Sequence, residues 1–331
     1  MPVYRFYELR VSSPRPLWNV VPTAVDDDSE ADIRIAFVQA DEPLPAWTDA
    51  SWTVVRDLHG SDWSMTLSTA PDRELAVFRL HSCIRADETI IFYGHDAARI
   101  VVAWHSAERT FDAAWPALSS WVLGSVLGFA MCLRGLPTLH GSVVAVDGRA
   151  VGLLGVSGAG KSTLAAAFVT AGHVLMADDH LVVVPGASGY CAAPGPPRLR
   201  LWPNSLDVLG ARGPESTLAT DGDGKYLFEP PRPVISAQPL PLAAIYILAP
   251  RDPGRVAIAI KPLSPAGALN ALANQRFCMT PLTSTHAADS LTALSALVPH
   301  VPVRMLYRPN GLETLPGIVD AICQDAADHV C

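Results

Sequence analysis

Cysteine is sparse in this chain and widely scattered. Its six cysteines (Cys83, Cys132, Cys191, Cys278, Cys323, Cys331) form no C-x-x-C pair and no short Cys/His spacing, which argues against a disulfide framework and a zinc site. Positive charge is in deficit as well. Lys and Arg number 24 against 32 Asp and Glu, a net charge of −8, so a nucleic-acid partner held through phosphate neutralisation is not expected. Internal repeats and low-complexity segments are missing. The opening residues, MPVYRFYELRV, read as a strand without the apolar core of a signal peptide, and a cytoplasmic protein is expected. Charge is lacking altogether from Ala113 to Leu133, 21 residues and long enough to cross a bilayer. Pro116, the serines and glycines inside this stretch and the lack of a basic cluster at either flank predict a buried helix over 117–134 and no membrane span.

Apolar side chains and proline are plentiful. Half of the 331 residues are hydrophobic and 29 are proline, enough for a large core in one elaborate or two intimate domains with many loops. Over 1–105, short apolar runs (Val3–Val11, Ile33–Val38, Trp63–Leu67, Glu74–Leu80, Thr89–Tyr93, Ala98–Trp104) alternate with turn-forming and charged clusters. That spacing predicts a small, mostly antiparallel β unit, structural or substrate-recognising, ahead of an α/β domain over 106–331. Asp26, Asp27, Asp28 and Glu30 read as a solvated loop before a cation site, and Trp47, Trp52 and Trp63 as core aromatics before a peptide groove.

The chain is organised around Gly155-Val156-Ser157-Gly158-Ala159-Gly160-Lys161-Ser162-Thr163. This satisfies the G-x-x-x-x-G-K-[ST] phosphate loop, and it lies between an apolar strand, Ala150–Leu154, and an alanine-rich helix, where such a loop works. Gly155, Ser157, Gly158, Ala159, Gly160, Lys161, Ser162 and Thr163 are then the nucleotide cradle. Backbone N–H groups and the positive end of the helix meet phosphate oxygens, Lys161 reaches the β- and γ-phosphates, and Ser162 ligates Mg²⁺. ATP and Mg²⁺ are the expected ligands.

Upstream, Asp147-Gly148 between two β-rich runs, Thr138–Val146 and Arg149–Leu154, signals a hairpin with a type I′ turn. In an unbulged ladder His140 then lies opposite Gly155, at the mouth of the loop. There an imidazole can donate to a phosphoryl oxygen or ligate a metal, or simply bond a backbone carbonyl. Downstream, Lys161–Ala171 reads as a helix stopped by Gly172, and the strand His173–Ala177 ends in Asp178-Asp179. A right-handed β-α-β crossover brings both carboxylates to the nucleotide edge of the sheet. Adjacent residues in a strand face opposite ways, so the two acids are expected to divide the work. Asp178 is assigned to the metal and Asp179 to the base, and the exchanged assignment stays open.

The run LHGSVVAVDGRAVGLLGVSGAGKSTLAAAFVTAGHVLMADDHLVVV (139–184) resembles the catalytic core of the HPr kinase/phosphorylase family, which has a phosphoenolpyruvate-carboxykinase-like fold. His140-Gly141, Gly155 to Ser162 and Asp178-Asp179 match the family's His-Gly, phosphate loop and Asp-Asp. The resemblance implies a mixed sheet and an ATP-dependent serine kinase acting on a small protein or peptide, with His140, Lys161, Asp178 and Asp179 at the reacting phosphate. No Arg-Gly-x-Gly signature of the bifunctional members is present, and RLRLWP (198–203) occupies its region. The chain is more similar to the stand-alone enzymes of lasso-peptide pathways, which phosphorylate a serine of the precursor peptide.

Two loops, Pro185–Pro197 and Thr217–Lys225, are candidate lids. Arg200 and Lys225 are candidates for charge stabilisation on the phosphoryl group or the peptide, and Arg276 and Arg304 for reaching the nucleotide. The remaining elements are expected as strands at Leu242–Leu248, Val256–Ile260 and Val301–Tyr307 and helices at Pro265–Asn274, Ala287–Val298 and Ile318–Ala327. A metabolite kinase and a non-catalytic nucleotide sensor are the competing readings, and a homo-oligomer is left open.

Overall fold

The structure is a computed structural model that describes residues 1–23, 30–39, 42–59, 64–70, 77–85, 88–95, 97–187, 189–196, 198–209, 225–228, 238–277 and 284–327. Asp26–Asp28, Trp63 and residues 217–224 of the second candidate lid lie outside that set, as does the side chain of Trp47. The chain divides into two compact units, Met1–Gly135 with Thr280–Asp289, and Leu136–Met279 with Ser290–Cys331.

The first unit is built on an eight-stranded sheet in the order β1-β2-β3-β8-β7-β6-β5-β4. Its strands are β1 (Val3–Phe6), β2 (Leu9–Ser12), β3 (Ile33–Gln39), β4 (Thr53–His59), β5 (Ser64–Thr69), β6 (Val77–Arg85), β7 (Glu88–His95) and β8 (Arg99–Ser106). The expected single run Val3–Val11 is a tight hairpin, because Tyr7 and Glu8 both adopt positive φ, 54° and 67°, between Phe6 and Leu9. Pairing is antiparallel except where β3 lies parallel to β2 and to β8.

Helix α1, Phe111–Leu133, belongs to this unit, so the division falls after Gly135 and not at 105. Its indole and hydroxyl groups show why. Trp115 Nε1 donates to the Pro16 carbonyl across 2.9 Å, the Trp18 N–H donates to Ser119 Oγ across 3.2 Å, and Trp115 stacks edge-on against Phe37. The helix starts six residues before the sequence-based limit because Thr110 caps it, accepting from the Ala113 N–H at 3.3 Å. It is long and apolar enough to cross a membrane, and 67% of its most apolar window is buried inside the protein.

The second unit is mixed α/β. Its strands are β9 (Thr138–Val146), β10 (Arg149–Leu154), β11 (Val174–Ala177), β12 (His180–Gly186), β13 (Gly189–Ala192), β14 (Leu199–Leu201), β15 (Tyr226–Phe228), β16 (Leu240–Leu248), β17 (Ala259–Pro262) and β18 (Val303–Tyr307). Helices α2 (Lys161–Thr170), α3 (Pro203–Val208), α4 (Pro265–Ala273) and α6 (Leu315–Ala327) complete it, with the part of α5 (Ser284–Leu297) that follows Asp289. The hydrogen-bonded order is β10-β9-β12-β13-β16-β18-β17, and β16 also pairs parallel with β10, so the path β10-β9-β12-β13-β16 returns to its start.

The β9–β10 hairpin turns at Asp147 and Gly148, with φ of 48° and 75°, the two left-handed residues of a type I′ turn. Register follows from it without a bulge, from Val146 opposite Arg149 to Gly141 opposite Leu154. His140 lies one residue past that ladder and pairs with His180 of β12 instead, so the expected partnership with Gly155 is not formed. Gly141 has to be glycine: a Cβ there would meet Leu154 Cδ2 at 2.1 Å and the Leu153 carbonyl at 2.7 Å.

Both β10 and β11 run antiparallel to β9, one on each side, and are therefore parallel to each other. Their carboxyl ends emerge at one edge of the sheet, beside the start of β9. Between them α2 is buried along most of its length through Leu164, Ala165, Ala166, Ala167, Phe168 and Val169. The small alanines allow the close approach to β9, β11, β14 and α6. After Ala171 the helix stops in a Schellman cap, the Gly172 N–H donating to Val169 O and the His173 N–H to Phe168 O, each at 3.0 Å, with Gly172 at φ 96°. Pro185–Pro197, read as a loop, is mostly a hairpin, because Gly186 and Gly189 let β12 turn into β13.

Candidate functional site

One cavity of about 400 Å³ opens at this sheet edge. Its wall includes His140 from β9, Ser157, Gly158, Gly160, Lys161, Ser162 and Thr163 from the loop and α2, Asp178 and Asp179 beyond β11, and Arg200 and Lys225 beside the β14–β15 ladder. Every side chain that the sequence offered for catalysis or charge stabilisation therefore lies on one wall. Gly155 and Ala159 stand behind it. The Gly155 carbonyl accepts from Lys161 Nζ, and a Cβ at Gly155 would come within 3.2 Å of Ala159 Cβ.

The loop reaches this shape through Gly158 and Gly160, at φ 78° and 94°, the left-handed region that glycine enters without penalty. Lys161, only 7% exposed, folds back to donate to the carbonyls of Gly155 at 2.8 Å and Val156 at 3.2 Å. Burial lowers the proton affinity of its ammonium, and the two nearby aspartates oppose that shift.

The two carboxylates are presented differently. Asp178 is buried, and its Oδ1 accepts from Ser142 Oγ at 2.6 Å and from Ser162 Oγ at 3.1 Å. Desolvation and the adjacent Asp179 raise its pKa above the ordinary aspartate range. Asp179 is not part of a strand. It adopts φ 68°, and this left-handed bend replaces the alternation expected of neighbouring strand residues, so both acids reach the same cavity. Its carbonyl accepts from the Gly141 N–H and from His140 Nδ1, each at 3.2 Å. Its carboxylate pairs with Arg200 Nη2 at 3.2 Å, both side chains about a quarter exposed at 27% and 24%. Burial works to raise its pKa, but the surrounding charge, that of Arg200 first, outweighs burial and holds it below the usual value.

His140 lies on the cavity wall and bonds a backbone carbonyl, the plainer of the roles foreseen for it. Burial first, then the Lys161 charge, lowers its pKa and favours the neutral ring. With Nδ1 as donor to Asp179, Nε2 is the remaining nitrogen. Lys225 reaches over the Trp202 ring, 5.6 Å from its centroid, and Trp202 is 49% exposed on the cavity wall.

Arg276 and Arg304 do not line the cavity. Arg276 Nε caps the Ala273 carbonyl at 3.1 Å, and Arg304, on β18, pairs with Asp325 of α6 at 3.0 Å. The described residues of the first candidate lid, now the β12–β13 hairpin, do not line the wall either. Sequence reading missed Ser142, Trp202, Asn204, Ser205, Arg251 and Leu312. Ser142 alone had a signal, since it shares a face of β9 with His140 two residues away.

The donor set suits magnesium. Ser162 Oγ and the Asp178 carboxylate are hard oxygen donors side by side, and Mg²⁺ is held by one or two carboxylates together with substrate phosphates and water. No group of three or more His, Cys, Asp or Glu side chains gathers into a metal cage among the described residues. The glycine-shaped loop at the start of α2, with a buried lysine in it, suits a polyphosphate chain.

No protein-family model matches the chain, and no curated protein matches it. Among solved structures it is similar to the Hpr(Ser) kinase/phosphatase from Coxiella burnetii, at 14% identity over 58% of this chain and 97% of that one, with a TM-score of 0.30. A score of that size assigns neither activity nor substrate to this chain.

Proposed function

We propose that the protein is an ATP- and Mg²⁺-dependent serine kinase that phosphorylates a hydroxyl of a peptide or small protein, of the kind represented by lasso-type precursor peptides. The observation that carries this reading is the convergence of Lys161, Ser162, Asp178 and Asp179 on one cavity, where Ser162 bonds Asp178 and Asp179 stands apart with Arg200. The match of residues 139–184 to the motifs of HPr-kinase-like enzymes supports it further, as does a mixed sheet fed by an antiparallel hairpin.

Each residue has a task in this reading. The loop N–H groups, the α2 N-terminus and Lys161 bind the triphosphate. Ser162 and Asp178 hold the magnesium ion, which when bound neutralises charge on the phosphate oxygens. The acceptor oxygen forms a bond to the γ-phosphorus as the bond to the β,γ-bridging oxygen breaks, and the acceptor's proton passes to the Asp179 carboxylate. Arg200 keeps that carboxylate ionised, so Asp179 orients the hydroxyl at any physiological pH and takes up the proton late in the transfer. His140, neutral and tied to the Asp179 backbone, fixes the bend that presents this carboxylate. A cytoplasmic setting supplies both ATP and Mg²⁺.

The test is incubation with ATP labelled on its γ-phosphate, Mg²⁺ and candidate peptides and metabolites. Label on a peptide serine is the expected result. Label only on a metabolite, or tight ATP binding with no transfer to any acceptor, overturns the reading in favour of a metabolite kinase or a nucleotide sensor.

A further inference from the structure

Two guanidiniums meet at the Gly155–Ser162 loop, and among the described residues their hydrogen-bond partners are neutral. Arg308, 6% exposed, donates from Nη1 to the Ala249 carbonyl at 3.1 Å and from Nη2 to the Ala159 carbonyl inside the loop. Arg251, on the cavity wall, makes one side-chain hydrogen bond among the described residues, from Nη1 to Asn310 Oδ1 at 3.5 Å. Burial and the Arg251 charge together depress Arg308, to a pKa of about 10. Two like charges held together and bonded only to carbonyl and carboxamide oxygens form an electrostatic debt that an anion would relieve. Arg251 is also the one whose position indicates which anion. Its Nη2 lies 3.0 Å from where a Cβ on Gly160 would stand, so the guanidinium rests on the glycine that begins α2.

We propose that Arg251 is a direct contact for the polyphosphate of the bound nucleotide, supplied from the end of β16 some ninety residues after the motif, with Arg308 as a positioning residue beneath it. This rests on the nucleotide-binding reading above. A planar guanidinium matches phosphate oxygens with paired N–H donors, which a lysine cannot reproduce. Arg308 contributes from behind by fixing the Ala159 carbonyl to the Ala249 end of β16, which keeps the loop and Arg251 in register. The acceptor side of the cavity is served by a different cation, Arg200, already paired with Asp179.

Calorimetric titration of Mg·ATP into the full chain tests this, at two ionic strengths, for the wild type, Arg251→Gln, Arg251→Lys and Arg255→Gln. Arg255 is the control, a cation of the same loop that stacks on Tyr307 at 4.8 Å and does not line the cavity. Arg251→Gln is expected to weaken ATP binding about 10- to 100-fold, the span for one charge-assisted contact, and to flatten its salt dependence, with an unfolding midpoint no lower than that of the wild type. Arg251→Lys is expected to fall between, and Arg255→Gln to bind as the wild type does. ATP binding by Arg251→Gln within twofold of wild type overturns the inference and leaves the kinase reading intact. Equal losses in Arg251→Gln and Arg255→Gln overturn it too, as a general effect of loop charge. A wild-type chain that binds no Mg·ATP ends both.

Discussion

Ser142 and Ser162 donate to the same oxygen of Asp178, across 2.6 and 3.1 Å, so a single carboxylate atom joins strand β9 to the first turn of α2. Ser142 orients the acid without reaching the loop itself, the position of an outer partner to a metal ligand. Ser142→Ala is therefore expected to raise the Mg²⁺ concentration needed for half-maximal activity about 10- to 100-fold at saturating ATP. Asp178→Asn should raise it further. A magnesium titration of phosphate transfer reads both, and an unchanged requirement in Asp178→Asn would remove that residue from the metal.

Lys161 and Asp179 should fail in different ways. Lys161→Ala is expected to weaken ATP binding and nearly abolish transfer, whereas Asp179→Asn should leave ATP binding in place and cut turnover by roughly 10²- to 10⁴-fold. Binding isotherms alongside single-turnover transfer separate the two. Equal loss of binding in both variants would contradict the division of labour.

Acid should loosen the fold through His180. This ring is fully buried against Phe277, at 4.6 Å between centroids, and burial drives its pKa from 6.5 down to about 4. The unfolded chain binds a proton more readily than the native one, so this contribution is complete above pH 6.5 and is lost as pH falls towards 4. At about 1.4 kcal/mol per pKa unit, the loss is about 3 kcal/mol. Urea unfolding between pH 7 and 4 is expected to show a shallower loss in His180→Gln than in wild type. Parallel slopes would mean that the ring binds a proton equally well in the folded and the unfolded chain.

Two glycines at opposite ends of the β9–β10 hairpin should respond to added side chains for different reasons. Gly148→Ala meets no atom within 4 Å, so it isolates the cost of φ 75° in a residue with a Cβ, about 1–2 kcal/mol in chemical unfolding. Gly141→Ala drives a methyl into Leu154 and the Leu153 carbonyl. It should cost more, and it should also displace His140 and slow phosphate transfer, which Gly148→Ala should not.

Local chemistry was legible in the sequence, and distant packing was not. Asp147-Gly148 carries its own turn geometry, so the register of six opposed pairs can be counted from it, and the loop motif announces Gly158, Gly160, Lys161 and Ser162 directly. Arg200 and Lys225 could be named because each is a lone base close in sequence to the active edge. Arg251 has no such proximity, and only the parallel pairing of β16 with β10 delivers it to Gly160. Strand β4 was missed because Arg56 and Asp57 interrupt its apolar pattern, and α1 was assigned to the wrong unit because nothing in its composition names the sheet that its tryptophan packs on. The alternation rule failed at Asp179 because it presumes a strand, and the chain leaves the strand one residue earlier.

That departure matters beyond the site's geometry. Had the β11 strand continued through Asp179, its two acids would have stood back to back, one of them in the core. Reversing the chain for a single residue lets neighbours joined by one peptide bond serve as opposites, one carboxyl with its proton affinity raised and the next with it lowered. Exchange of their surroundings, and not of the residues themselves, is what would swap their chemistry, so a drifting sequence could retain both aspartates and still lose the proposed activity.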